Sequence, residues 1–340
     1  MGHETTLKDL ARALDLSIST VARALSDHPQ ISEQTKARVR AAASVSGYVA
    51  HSAARAMRRG HSTLIGLIIP DVENEFYGTL AKGLAQCCDQ AGFQMLLAIT
   101  EDDPVSEERQ VRALSEARVA GFVVVPSPKP LRATFGLLAR GPCVQLIRRL
   151  DELAAPWFGI DEEAALREAT GHLLGQGHRR IAYVGGSLDL STGRGRLRGF
   201  EQAFEAAGLS VPHHLVRLGR PRRDFASDAF SSLWGQPEQP TAVVTGGARL
   251  CAGVLEVLGR MGLKIPADIS VVGFGDAPWW YTALTTISLP AREIAIASGE
   301  FLLRRIRDGR READSQNTPV YQAIHRSSLV LRASTAPVGT

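Results

Sequence analysis

Between Leu64 and Gly273, short apolar runs recur along the chain: Leu64–Ile69, Gln94–Ile99, Gly121–Val125, Val144–Ile147, Ile181–Val184, Ala242–Thr245 and Ile269–Gly273. Amphipathic stretches long enough for helices lie between most of them. A strand-length run without polar alternation is buried on both faces, and a helical crossover is what joins two parallel strands. The pattern therefore predicts repeated βαβ units, parallel sheets and right-handed crossovers. The span is long for one sheet. A break near Trp157–Asp161, with Pro156 before it, divides it into two similar α/β lobes.

The segment before this alternation differs in charge. The 340-residue chain has 39 basic and 35 acidic side chains, a net charge of +4. Residues 1–60 hold nine Lys/Arg and five Asp/Glu, so the whole excess sits in this head and the rest is neutral. A basic head on a neutral body points to a head that meets a polyanion. Four cysteines, Cys87, Cys88, Cys143 and Cys251, show neither a CxxC pair nor metal-ligand spacing. They read as small buried side chains in a reducing compartment. No apolar signal core opens the chain, and the longest apolar runs are too short to span a bilayer, so a cytoplasmic location is expected.

Within the head, Leu7, Leu10, Ala11 and Leu14 form one apolar stripe at helical spacing. Thr6 and Asp9 have capping-box spacing before it. Asp15 and Leu16 form a turn, and Ser17 caps a second helix with Val21, Ala24 and Leu25 facing inward. Ile18, Ser19, Ala22 and Arg23 then face outward. Ser32 caps a third helix, with Val39, Ala42 and Ala43 inside and Gly47 as its stop. This is an all-α helix-turn-helix domain, whose second helix enters the major groove of double-stranded DNA. Arg23 suits guanine O6/N7, Ser19 several bases, and Ile18 a thymine methyl. Ser17 and Thr20 suit phosphates.

Thr6–Ala11, Leu16–Leu25, Ile31-Ser32 and Gly47-Tyr48 strongly resemble the lactose/galactose repressor (LacI/GalR) family, and the similarity continues through Gly66. Asp15 stands where the family has a turn glycine, and Ala22 where it usually has serine. The resemblance adds Leu7, Ser32, Thr35 and Tyr48 to the implied DNA contacts. It also implies that residues 50–62 form a hinge helix ordered on operator DNA, with Ala54 and Met57 at the minor groove. Met57 stands where the family has a wedging leucine, and an apolar wedge kinks DNA. In the body, Ile65–Asp71, Gly177–Tyr183, Val271–Phe274 and Leu284–Ile287 match further landmarks. The implied fold is a periplasmic-binding-protein-like core of two Rossmann-like subdomains with a ligand cleft between them. The expected division is 1–49 for the DNA-binding domain, 50–62 for the hinge and 63–333 for the core. The core divides into a first subdomain of about 63–160 plus 288–318 and a second of about 161–287 plus 319–333. Residues 334–340 are expected to be a disordered tail.

Open α/β sheets bind ligands beyond the carboxyl ends of their strands. Asp71, Phe76, Tyr77, Ser127, Arg148, Asp161, Asp276, Trp279 and Trp280 are therefore the cleft candidates. Arg196 joins them because it matches the family arginine that grips the effector. Aromatics with a few polar groups suit a sugar or a small acid. Gly247 and Gly275 stand where the family has aspartates, and with Arg148 and Arg196 nearby this favours an anionic effector, a sugar acid or sugar phosphate, over a neutral sugar. The glycines at 193, 195 and 199 do not follow a strand directly, so a dinucleotide loop is not expected. No cofactor, metal site or activated nucleophile is expected. An enzyme and an exported solute-binding protein are the competing readings. The basic head and the missing signal core oppose the latter. The expectation is a transcriptional repressor, a homodimer on a pseudo-palindromic operator, whose affinity a small effector changes in either direction.

Overall fold

The structure, a computed structural model, describes residues 5–48, 62–275, 283–309 and 321–338. The chain divides into two compact units between Ser62 and Thr63.

In the first unit, α1 (Leu7–Leu14), α2 (Ile18–Leu25) and α3 (Glu33–Val45) pack around Leu10, Val21, Ala24 and Val39. The caps follow the sequence. Thr6 and Asp9 form a reciprocal capping box, Ser17 Oγ accepts from the Thr20 amide at 3.0 Å, and Ser32 Oγ accepts from the Thr35 amide at 3.2 Å. Gly47 at φ 63° ends α3, letting the Tyr48 amide reach the Ala43 carbonyl at 3.0 Å. Asp15 ends α1 in the left-handed region, at φ 53° and ψ 46°. Aspartate tolerates that region better than most residues but not as freely as glycine. Asp15→Gly is thus expected to stabilise this domain by about 0.5–1 kcal/mol, read from its thermal unfolding.

The second unit holds two sheets. The first has strand order β11-β5-β4-β3-β1-β2, all parallel. Its strands are β1 (Leu64–Ile69), β2 (Gln94–Ile99), β3 (Gly121–Val124), β4 (Cys143–Leu146), β5 (Trp157–Ile160) and β11 (Gln322–His325). Helices α4 (Glu75–Gln90), α5 (Pro104–Glu116), α6 (Arg132–Leu138) and α11 (Ala291–Asp308) cover it. The second sheet has order β12-β10-β9-β8-β6-β7, with only β12 antiparallel. It comprises β6 (Ile181–Gly186), β7 (Val216–Gly219), β8 (Ala242–Thr245), β9 (Ser270–Phe274), β10 (Thr285–Ser288) and β12 (Ser328–Val330). Around it lie α7 (Glu162–Gly175), α8 (Ser191–Ala206), α9 (Arg223–Trp234) and α10 (Ala248–Arg260). Gly199 allows α8 to lie against α7, because a Cβ there would sit 2.2 Å from the Glu163 carbonyl oxygen. This close packing of α8 on α7 is what the glycine serves.

The Trp157–Asp161 segment contains a buried strand, β5, and the expected division at about residue 160 falls directly after it. Two expectations need correction. Residues 322–325, expected in the second lobe, pair with β5 in the first, so the last crossing falls between His325 and Ser328. β11 alternates exposed and half-buried residues, so no apolar run marks it. Finally, the tail from Ser334 to Val338 is ordered. Ser334 is fully buried: its Oγ accepts from the Thr285 amide at 2.7 Å, and its carbonyl accepts from the Val271 amide at 2.8 Å. The Val338 amide donates to the Gln176 carbonyl at 3.2 Å. These partners lie far away in sequence, so short polar residues gave no local sign of them.

His178 is the centre of this tail anchor. Its ring nitrogens reach Thr241 Oγ1 at 2.9 Å, Ser270 Oγ at 3.1 Å and the Ala336 carbonyl at 3.0 Å. Burial pushes its pKa down, as it does that of neighbouring His172. A depressed histidine contributes stability above its unfolded value of about 6.5 that is lost as pH falls. The melting temperature of the core is expected to fall between pH 7.5 and 5, and less steeply in His178→Gln, by calorimetry. The thiols of Cys88 and Cys251 are pushed by burial up to about 11 and that of Cys143 to about 12. Among the described residues no helix is long and apolar enough to cross a membrane.

Candidate functional site

On α2, the residues expected to read DNA stand clear of the core: Ile18 is 48% exposed, and Ser19 and Arg23 are exposed as well. Ser17 Oγ also meets Ser19 Oγ and Thr20 Oγ1, each at 2.8 Å, so this first turn presents hydroxyls beside free amides. Thr20 and Thr35 are half-buried, and Ser32 is exposed at the α3 cap. Leu7 and Tyr48 pack against the core of the head. Sequence reasoning missed Lys36. It is 5% exposed and bridges Asp27 at 3.1 Å and Glu33 at 2.7 Å, while Arg40 also pairs with Asp27 at 2.8 Å. Lys36 is therefore structural, and the charge count overstates what faces DNA. Ala54 and Met57 lie outside the described residues.

In the second unit the carboxyl ends of β1, β2, β4, β6, β8 and β9 converge on a cleft of about 850 Å³, its mouth included. Asp71, Phe76, Tyr77, Arg148 and Arg196 lie on its wall. Ser127 and Asp161 do not. Ser127 is buried behind the wall, and Asp161 spends its carboxylate capping α7 through the Ala164 amide at 2.9 Å. Asp276, Trp279 and Trp280 fall outside the described residues.

The arginines are already paired. Arg196 makes a fork onto Glu162, Nε to Oε2 at 2.6 Å and Nη2 to Oε1 at 3.0 Å, and Nη1 donates to the Gly246 carbonyl at 2.7 Å. Its guanidinium lies 3.8 Å from the Phe274 ring centroid, a cation–π contact. Arg148 forks onto Asp102, with Nη2 3.1 Å from Oδ2, and donates from Nη1 to the Pro126 carbonyl at 3.1 Å. Arg249 joins the lobes across the cleft, 3.3 Å from Asp71 and 3.1 Å from Glu73. The charged residues on the wall are Asp71, Asp102 and Glu162 against Arg148, Arg196 and Arg249, which balance. Tyr77 is buried, which pushes its phenol up and keeps it protonated.

The sequence reading missed Asp102, Glu162, Arg249 and Phe274. Asp102 and Phe274 sit at strand ends, so the rule that found Asp71 would have found them. The pairings that tie up the arginines join residues 34 and 46 positions apart and had no local sign. The two glycines that replace aspartates also differ. Gly275 has φ 90°, where any side chain is strained, whereas a Cβ on Gly247 would meet only Arg196 Nη1 at 3.7 Å and Leu250 at 3.8 Å.

Comparison with known proteins locates both parts. Residues 6–51 match the model of bacterial regulatory proteins of the lacI family, and residues 170–329 match that of the periplasmic binding protein-like domain. The ribose operon repressor of Escherichia coli (strain K12) is 30% identical over 315 residues, covering 88% of this chain and 93% of the repressor. Among solved structures, the Lac repressor dimer bound to operator and the anti-inducer ONPF superimposes with a TM-score of 0.82 at 22% identity, covering 98% of this chain and 100% of that one. A complex of the transcriptional regulator CelR with cellobiose gives 0.70 at 25% identity, over 97% of this chain and 100% of that one. Helix-turn-helix head and two-lobed core thus share one lineage, and the chain belongs to the lacI family of bacterial regulatory proteins, DNA-binding regulators of transcription.

Proposed function

We propose that this protein represses transcription as a homodimer on a pseudo-palindromic operator and that a small, neutral, hydroxyl-rich molecule, a sugar, enters the cleft and changes operator affinity. It acts by binding, without catalysis, in the cytoplasm. The observation that carries the effector class is the charge balance of the wall. An anion would have to displace Glu162 or Asp102 from its guanidinium and leave a carboxylate buried and unpaired, a penalty of about 3–5 kcal/mol. A neutral sugar keeps both pairs, donating hydroxyls to the carboxylates and stacking on Phe76, which is half-buried on the wall. This reverses the preference for an anion that the lost aspartates suggested. The names of the relatives, with ribose and cellobiose in them, agree with it.

Arg249 gives the lobes a connection whose geometry depends on closure, so an effector that bridges them biases one lobe arrangement over another. The segment between the two units would carry that bias to the DNA-reading head. The open edge strand β2 leaves Leu97 and Ile99 exposed, an apolar surface that a second copy would cover. Isothermal titration against paired neutral and acidic pentoses and hexoses tests the effector class: the neutral member of a pair is expected to bind more tightly, and tighter binding of the acid would refute the charge-balance argument.

A further inference from the structure

Glu107 is fully buried on α5 of the first lobe and is not on the cleft wall. Its Oε2 accepts from the Ser127 amide at 2.8 Å. The carbonyl of that same peptide unit, belonging to Pro126, accepts from Arg148 Nη1 at 3.1 Å. One peptide group is therefore gripped at its N–H end by a carboxylate and at its C=O end by a guanidinium. Each hydrogen bond is charge-assisted, and polarisation along the peptide strengthens both.

We propose that Glu107 is a positioning residue for the effector cleft, holding the Arg148 guanidinium through the Pro126–Ser127 peptide in the orientation that an effector meets. This rests on the cleft being the effector site.

The surroundings show how much structure is committed to Arg148. Ile147, a β-branched residue, is held at φ 59°, which turns the chain so that Arg148 enters the cleft. Glu101 and Asp102 follow one another at φ 54° and 59°, which brings the Asp102 carboxylate to the other side of the guanidinium. Glu107 itself is a poor choice for stability alone. Its Oε1 has no hydrogen-bond partner, although Val111 and Leu114 show that the same helix face can be apolar. The groups acting on Glu107 are Ser127 after β3, Arg148 after β4, Asp102 after β2 and the Cys143 thiol on β4. Burial pushes the carboxyl up, Ser127 and Arg148 oppose this, Asp102 adds to it, and the result is above the ordinary glutamate range. A raised acid favours the folded protein below its unfolded value, and this is lost as pH rises through the folded value. The ionised form is the one that polarises the peptide, so the residue aids Arg148 at the pH where it helps stability least.

Nitrogen-15 and carbon-13 NMR of labelled arginine in the full-length chain, without effector, tests the proposal. The Arg148 signals, assigned with Arg148→Lys, are expected to shift with pH at a midpoint above the ordinary glutamate range, with slowly exchanging Nη resonances above it. Glu107→Gln keeps an acceptor for the Ser127 amide. It is expected to remove that midpoint while melting no lower than the parent at pH 8. Glu107→Ala is expected to collapse the separate Nη resonances, and the glutamine variant carries the test if the alanine variant does not fold. An unchanged midpoint in Glu107→Gln, or separate Nη resonances retained in Glu107→Ala, would overturn the proposal. Failure of the effector-site reading is seen separately, as sugar binding that survives Arg196→Ala while the NMR results stand.

Discussion

A chain lacking residues 1–62 is expected to fold, to keep its cooperative thermal transition, and to lose operator affinity by a factor of at least about 10³, the usual margin between specific and non-specific binding. The first half of that result follows from the core. Among the described residues, those after Ser62 contain both six-stranded sheets, the eight α-helices that cover them and the tail anchor at His178, and residues 63–340 form a unit by themselves. The second half follows from the α2 face. Ile18, Ser19 and Arg23 are exposed there, above a cap that leaves first-turn amides free. Within the intact chain, Arg23→Ala should weaken the cognate site by about 1–3 kcal/mol and relax preference at one base pair. Equal weakening of all sequences would make Arg23 a phosphate contact instead. Specific DNA binding by the shortened chain would remove the head from its role altogether. Circular dichroism and gel-shift titration of the same preparation read both halves.

The second large effect concerns Arg196. Replacing it with alanine is expected to lower sugar affinity by at least about thirtyfold, the equivalent of 2 kcal/mol, and to leave operator binding indifferent to sugar. The substitution removes a fork onto Glu162, a bond to the Gly246 carbonyl and the contact with Phe274 at 3.8 Å. It also strands the Glu162 carboxylate, which is only 9% exposed, at a cost to folding of about 3–5 kcal/mol. Arg196→Lys keeps the charge but loses the fork and the flat stacking surface, so it should restore stability more than sugar response. Pairing Arg196→Leu with Glu162→Leu separates the roles further. The double variant is expected to regain thermal stability and to remain unresponsive. Full sugar response in that variant would show that the pair only supports the lobe.

Where the sequence was legible, local chemistry was the reason. The Thr6–Asp9 box, the Ser17 and Ser32 caps and the Gly47 stop are each decided by a few neighbouring residues, and the structure has all of them. Seven strands were visible because each is a largely apolar run; most are buried on both faces, and β2, at an edge, keeps its run although Leu97 and Ile99 are exposed. Five strands escaped. β7, β11 and β12 are short and lie at sheet edges, where one side needs no apolar residue, while β5 and β10 are interior but only four residues long, β5 lying in the stretch read as a break and β10 opening on two threonines. Ser334 escaped for the opposite reason, since its order depends on Thr285 and Val271, which are distant in sequence. In the cleft, the strand-end rule placed Asp71 and Arg148, and the family motif placed Arg196. It was the partners, Asp102 and Glu162, that changed the chemistry from a cationic pocket to a balanced one. Spacing cannot show which charges meet. That also holds for Lys36, counted with the DNA-facing cations but committed to Asp27 and Glu33.

The most direct test of sequence-specific, sugar-responsive regulation is a ratio of affinities. An operator selected from a random duplex pool and a scrambled duplex of equal length would be compared with the full chain by fluorescence anisotropy, at about 150 mM salt because the electrostatic share varies steeply with ionic strength. The selected site is expected to be pseudo-palindromic and bound at least about 10³-fold more tightly than the scramble, with that ratio changing when the cleft is saturated with a neutral sugar. A ratio near one, or a ratio that no cleft-binding sugar alters, would contradict it.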